Sequence, residues 1–159
     1  MPGFKSVVLV FAVGLAALVA GADPSMAQAP RSQKPVKVAA VDFVPAWGDL
    51  DGNIARLAQA VEKVAEEKIE YAVFPETAMS GYLFSGPQQI EPFLDTIPGK
   101  TTAKLLPILQ RTGLHMSVGI AERDAVTGLA YNTAVLMGPG GIIGKYRKNG
   151  LNQIGRAHV

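Results

Sequence analysis

The sequence contains no cysteine, and its two histidines, His115 and His158, lie far apart in the chain. Thiolate and imidazole groups are the usual ligands of structural zinc, so the composition argues against a transition-metal site, and we expect no cofactor. Aromatic residues make up only 7% of the chain, and the net charge of +2 comes without any run of lysine or arginine. This argues against nucleic acid as a partner, because its phosphates require a clustered basic surface.

The remaining composition is that of a folded domain. Hydrophobic residues make up 48% and charged residues 18% of the 159 residues. A chain of this length and polarity can bury a substantial core, so we expect one ordered domain.

The N-terminal residues have the pattern of a secretory signal. Lys5 precedes an apolar run at residues 7–22, which is shorter than a membrane span and leads into small residues. We expect cleavage after Ala27, with Ser25 at the third position before the cut. Cleavage after Ala29 and an uncleaved anchor are the alternatives. No cysteine follows the run to carry a lipid, so we expect an exported protein, periplasmic or secreted, without a stable membrane anchor.

The rest of the chain divides into a linker, a domain and a tail. Residues 28–35 are polar and bounded by proline, which is typical of a flexible linker. Residues 36–152 form the expected domain. Codons for residues 153–159 can match the start of a common sequencing adapter, so we interpret these residues as read-through and expect the natural protein to continue. A genuine short C-terminus is the alternative.

Hydrophobic periodicity predicts alternating strands and helices. Apolar residues recur at helical spacing from Asn53, with Asp49 or Asp51 as the N-cap. A second helix is predicted to end at Gly113, although Pro107 should kink it or move its start. Short apolar runs predict strands at 36–43, 69–76, 115–124, 128–141 and 142–150. The order indicates an α/β layered fold with a mixed sheet.

Two charged residues stand at the ends of apolar strands. Glu76 follows "AVFP" and Lys148 follows "GIIGKYR". Strand ends are common positions for catalytic groups in α/β proteins. A solvated loop for Glu76, and a plain basic rim of Lys145, Arg147 and Lys148, are the structural alternatives.

The ordered set of motifs resembles the nitrilase, or carbon–nitrogen hydrolase, superfamily. The set is "VKVAAVDFVP", "GNIARLAQAVEKVAEE", "YAVFPETAMSGY", "GIAERD" and "YNTAVLMGPGGIIGKYRK". The resemblance implies an α-β-β-α sandwich that acts on a small-molecule amide or nitrile, and a possible homo-oligomer in the full-length form. It places Glu76 on the general base and Lys148, not Lys145, on the catalytic lysine.

The family's third catalytic group, a cysteine nucleophile, has no counterpart here. The resemblance places it beyond the lysine, together with a second glutamate, in a segment that this sequence does not contain. We therefore expect an inactive N-terminal fragment of an active parent, with a degenerate non-catalytic homologue as the alternative.

Other residues receive structural or secondary roles. Tyr82 is a candidate substrate-binding residue, with packing beneath its loop as the alternative. His115, Tyr131, Asn132 and Trp47 are interpreted as packing or turn residues outside the catalytic set.

The branch within the superfamily rests on a few positions. Tyr146 before Arg147 and Lys148 resembles the pattern of amidases and carbamoylases. Asn149 departs from the histidine often found directly after the lysine. An amidase-like hydrolase is therefore expected. A nitrilase, an N-acyltransferase or a non-catalytic exported binding protein are the alternatives.

Overall fold

A computed structural model describes residues 9–10 and 34–149 of the chain, and within them one sheet. Its strands lie side by side in sequence order, β1 to β6. Their bounds are Leu9–Val10, Val38–Ala40, Tyr71–Val73, His115–Arg123, Ala130–Gly138 and Gly141–Arg147. The pairs β2–β3 and β3–β4 are parallel and the remaining pairs are antiparallel, so the predicted mixed sheet is confirmed.

Strand β1 falls within the segment that the sequence predicts to be a signal. Its two residues pair antiparallel with Ala39 and Ala40 of β2. The expected cleavage site, most of the linker and the tail 153–159 lie outside the described residues, and their assignments stay predictions.

Helix α1, Leu50–Glu66, begins where the sequence predicts a cap. Asp49 is the N-cap, and its side chain accepts a hydrogen bond from the backbone N–H of Gly52 at 3.0 Å. Leu57 and Val61 of the predicted periodicity are fully buried, and Ile54, Ala58 and Val64 are nearly so. The helical interpretation of this segment is therefore confirmed, with a start three residues before Asn53.

Helix α3, Lys100–Thr112, contains Pro107 without interruption and ends at Gly113 in the left-handed conformation, with φ of 77°. The proline therefore does not move the helix start. That start is fixed by Asp95, which accepts hydrogen bonds from the backbone N–H groups of Lys100 and Thr101 at 3.0 and 2.7 Å. The Asp95 carboxylate thus supplies the acceptor that the N-cap residue, Gly99, cannot supply itself.

The two long helices pack on one face of the sheet. Their apolar residues form a single core cluster with Met116, Val118 and Ile120, alternate residues of β4. The opposite face carries less cover, and Val73 and Ala134 are exposed there. A short helix α2, Pro87–Ile90, and a 3₁₀ turn, Glu91–Phe93, follow β3 and complete the fold before α3.

The first two predicted inner strands are longer than those observed. The apolar runs at 36–43 and 69–76 form strands of only three residues each, β2 and β3. The rest of each run continues as non-strand backbone beyond the sheet, and Glu76 lies in the part that follows β3. Among the described residues, no helix combines the length and apolarity that crossing a bilayer requires.

Candidate active site

Glu76 is held over β4 by backbone contacts of its own loop. The N–H of Gly119 donates to the carbonyl of Pro75 at 3.1 Å, and the N–H of Ala78 donates to the carbonyl of Gly119 at 3.0 Å. These bonds extend the parallel pairing past the end of β3. Thr77, between them, has a φ of 47°, a left-handed conformation that is strained for a β-branched residue.

Gly119 makes this close approach possible. A β-carbon at that position would lie 2.4 Å from the Cα of Glu76 and 2.6 Å from the backbone nitrogen of Thr77. Any side chain there would therefore displace the loop that carries the carboxylate. The sequence pattern offered no indication that this glycine in a strand had a positioning role.

Lys148 reaches the same place from the end of another strand. It follows β6 directly, and its backbone N–H donates to the carbonyl of Asn132 in β5 at 2.8 Å, which prolongs the β5–β6 pairing. Its Nζ lies 2.8 Å from Oε1 of Glu76. The two residues are 72 positions apart in sequence, and the fold brings their head groups into contact.

The Glu76 carboxylate accepts two further hydrogen bonds. Asn132 donates its Nδ2 to Oε1 at 2.6 Å, and the hydroxyl of Tyr82 donates to Oε2 at 2.9 Å. The hydrogen bond from Lys148 is the main reason that the pKa of Glu76 lies below its usual value; partial burial opposes the effect, while Tyr82 and Asn132 add to it. The group is therefore an ionised carboxylate at neutral pH, ready to accept a proton.

The site is open rather than buried in the described part of the chain. The side chains of Lys148 and Glu76 keep 35% and 36% of their surface exposed. Burial raises the pKa of the neighbouring Tyr82, and its hydrogen bond to Glu76 raises it further. A neutral tyrosine, a carboxylate and an ammonium group thus converge on one accessible spot.

A second carboxylate–lysine cluster lies on the opposite, helix-packed face. Glu122 is 1% exposed, accepts a hydrogen bond from Thr133 at 2.6 Å and forms ion pairs with Lys145 and Arg147. Arg147 also pairs with Asp124. Lys145 and Lys148 therefore have different partners on different faces, so the basic residues near the end of β6 form two separate groups.

Other residues named from the sequence occupy mainly structural positions. The ring of Trp47 stacks on Phe84 with 5.5 Å between centroids, and Arg147 lies over the ring of Tyr131 at 3.9 Å. His115 begins β4, and its ring lies against Gly138 of β5. Tyr82, the candidate substrate-binding residue, contacts Glu76 directly.

Asn132 is the exception among the residues interpreted as packing or turn residues. It is a strand residue whose side chain donates to Glu76, a contact that its interpretation as a packing or turn residue does not include. Asn132 is 56 residues from Glu76 in sequence, so no local sequence pattern indicated this contact. Within residues 34–149, no group of three or more His, Cys, Asp and Glu residues is arranged to hold a metal ion.

Solved structures share this fold. A crystal structure of an N-terminal amidase superposes with a TM-score of 0.65 and 28% sequence identity, over 74% of this chain and 29% of that chain. Nit3 of Saccharomyces cerevisiae, a member of branch 10 of the nitrilase superfamily, superposes with a TM-score of 0.58 and 25% identity, over 71% of this chain and 44% of that chain. The fold is thus of the nitrilase-like α/β class.

The sequence comparison identifies the family. A family model described as carbon-nitrogen hydrolase matches residues 37–157, most of the chain, which therefore belongs to the carbon–nitrogen hydrolase family. A nitrilase of Pyrococcus abyssi is 34% identical over 114 residues, which is 71% of this chain and 43% of the relative. An (R)-stereoselective amidase of a Pseudomonas species is 31% identical over 116 residues, 73% of this chain and 40% of the relative. The chain thus spans about two fifths of the length of such relatives.

Proposed function

We propose that the whole protein is an exported amide hydrolase of the carbon–nitrogen hydrolase family. In this proposal Glu76 is the general base, Lys148 stabilises the tetrahedral intermediate, and a cysteine outside this sequence is the nucleophile. The contact between Glu76 and Lys148, 2.8 Å at the ends of two strands, is the observation that carries the proposal. The 159-residue chain, which has no cysteine, is proposed to be inactive by itself.

The geometry supports a division of labour between the two groups. An ionised Glu76 can take the proton of a thiol and return it to the departing nitrogen. The Lys148 ammonium lies beside that carboxylate, where it can stabilise the negative charge that develops on the carbonyl oxygen of a bound amide. A fixed donor to such an oxyanion contributes about 3 kcal/mol of transition-state stabilisation in comparable enzymes.

Tyr82 supports a substrate-binding role at the same spot. Its hydroxyl faces Glu76 at 2.9 Å, while 52% of the residue remains exposed. An aromatic ring beside the base offers an apolar surface to the acyl part of a substrate. A Tyr82→Phe variant keeps this surface and removes the donor to Oε2.

A nitrilase is the second candidate, because a relative of that name has 34% identity to this chain. The two activities differ in substrate: an amidase releases ammonia from amides, whereas a nitrilase releases it from nitriles. Both require the same base and lysine, so the substrate and not the site distinguishes them.

The experiment uses the complete open reading frame, including its cysteine. We expect ammonia from simple aliphatic amides, no turnover of the matching nitriles, and loss of ammonia release in Glu76→Gln. Glu66→Gln, an exposed glutamate of α1, is the matched control and should remain active. Full activity of Glu76→Gln would refute the assignment, and turnover of nitriles alone would favour the second candidate.

A further inference from the structure

Asn132 touches both members of the Glu76–Lys148 pair. Its backbone carbonyl accepts the N–H of Lys148 at 2.8 Å, and its side-chain Nδ2 donates to Oε1 of Glu76 at 2.6 Å. The same residue thus binds the main chain of one candidate catalytic group and the carboxylate of the other. The backbone contact prolongs the β5–β6 pairing and could be made by any residue, whereas the contact with Glu76 requires the side-chain amide.

The sheet fixes Asn132 on two sides. It pairs with Ala121 of β4 across one edge, and its neighbour Thr133 pairs with Arg147 of β6 across the other. Thr133 is buried on the helix-packed face. Because side chains alternate along a strand, Asn132 projects to the opposite face, where Glu76 lies.

The short asparagine side chain restrains a carboxylate that lysine alone would leave mobile. The terminal torsion of a glutamate is soft, and Lys148 contacts Oε1 through a long flexible stem. Asn132 and Lys148 together occupy both acceptor positions of Oε1, and Tyr82 takes one position on Oε2. One acceptor position, on Oε2, remains for an incoming proton.

We propose that Asn132 is a positioning residue that sets the spacing of Glu76 and Lys148 and holds the carboxylate with Oε2 directed to the nucleophile. The inference rests on the proposed function of Glu76 as the base. In the first step the S–H bond of a thiol breaks, its proton forms a bond to Oε2, and the electron pair stays on sulfur.

The test follows the ionisation of Glu76 in the 159-residue chain by carbon-13 NMR of its side-chain carboxyl, which requires no turnover. Asn132→Leu should move the titration midpoint of Glu76 upward, because a donor to the charged form is lost. Asn132→Asp should move it further, since the new carboxylate repels the old one. Asn149→Leu, an exposed asparagine next to Lys148, is the matched control and should leave the midpoint unchanged.

The wild-type chain gives a readout that does not depend on any variant folding. The side-chain amide signals of Asn132 should titrate with the midpoint of the Glu76 carboxyl carbon. An unchanged Glu76 midpoint in a folded Asn132→Leu chain, or amide signals of Asn132 that ignore the ionisation of Glu76, would overturn the proposal.

Turnover separates the positioning role from the function itself. In the complete enzyme, Asn132→Leu should lower kcat about 10-fold or more and shift the acid limb of the pH profile upward, with KM little changed. If the complete enzyme shows no hydrolysis but the NMR shifts occur, the proposed function fails and the contact stands. If hydrolysis depends on Glu76 but Asn132→Leu behaves as wild type, the positioning role fails alone.

Discussion

Gly119 lies directly against the backbone of Glu76, so close that a β-carbon at Gly119 would come within 2.4 Å of the Glu76 Cα. The contact is with main chain, which cannot rotate away as a flexible side chain could. A glycine in the middle of β4 thus leaves the space into which the loop that carries Glu76 fits.

We therefore expect Gly119→Ala to displace residues 75–78 and lower the free energy of unfolding by about 1–3 kcal/mol, the usual effect of forcing extra volume into a packed site. Gly144→Ala in β6 is the control, because nothing lies within 4 Å of a β-carbon there. Urea unfolding followed by circular dichroism measures both. Equal stability of Gly119→Ala and wild type would show that the loop is not held as described.

Removal of Lys145 and removal of Lys148 should change the stability of the fold by different amounts. Lys148→Met breaks a pair that is about one third exposed, so stability should change by less than about 1 kcal/mol while the pKa of Glu76 rises. Lys145→Met leaves the buried Glu122 short of one donor and should destabilise the fold by about 1–3 kcal/mol. The same loss of stability in both variants would contradict the separation of the clusters.

Glu122 should make the fold sensitive to acid. Burial by itself raises the pKa of this carboxyl, but hydrogen bonds from Arg147, Lys145 and Thr133 outweigh burial and lower the pKa from 4.5 to about 2. A carboxyl whose pKa is lower in the folded state stabilises the fold fully at a pH above its pKa in the unfolded state. That stabilisation is lost as the pH falls through the pKa of the folded state. Unfolding free energy should decline between about pH 4.5 and pH 2.

The matched variant for this acid effect is Glu122→Gln. It should be less stable than wild type at neutral pH, because the ion pairs with Lys145 and Arg147 are gone. Its stability should also depend less on pH across the acid range. If the unfolding free energy of Glu122→Gln falls with pH as steeply as that of wild type, other carboxylates account for the acid sensitivity.

Export is tested by the mature N-terminus. Production of the complete protein with its own leader in a bacterial host should yield a periplasmic or secreted product that begins at Gln28, measured by mass spectrometry. A Ser25→Lys variant should block the cut, because a large charged residue does not fit the small-residue rule. A product that retains residues 1–27 would contradict the predicted cleavage.

Local pattern predicted the elements of this fold better than their lengths. The 3.6-residue period and a cap at Asp49 or Asp51 specified the start of α1 to within three residues, because both signals are short-range. The cap of α3 comes from Asp95, which is held by backbone bonds to Ala121 and Arg123, and the sequence next to the helix does not contain that information. Strand ends were overestimated because apolar runs continue past the last paired residue.

The site shows the same division between local and distant information. Glu76 and Lys148 could be named because each ends a recognisable apolar strand within a familiar motif. Asn132 and Gly119 could not, because their roles arise from contacts with a loop more than 40 residues earlier. A glycine inside a strand is a general sign of close backbone approach, but it does not say which segment approaches.

The joint action of Glu76 and Lys148 is tested most directly by a double-mutant cycle on kcat in the complete, cysteine-containing enzyme. Glu76→Gln and Lys148→Met should each reduce kcat by about 100-fold or more, and the double variant should be little slower than the worse single one, because groups acting as a unit do not lose activity additively. Independent losses that multiply in the double variant, or either single variant retaining wild-type kcat, would contradict the account.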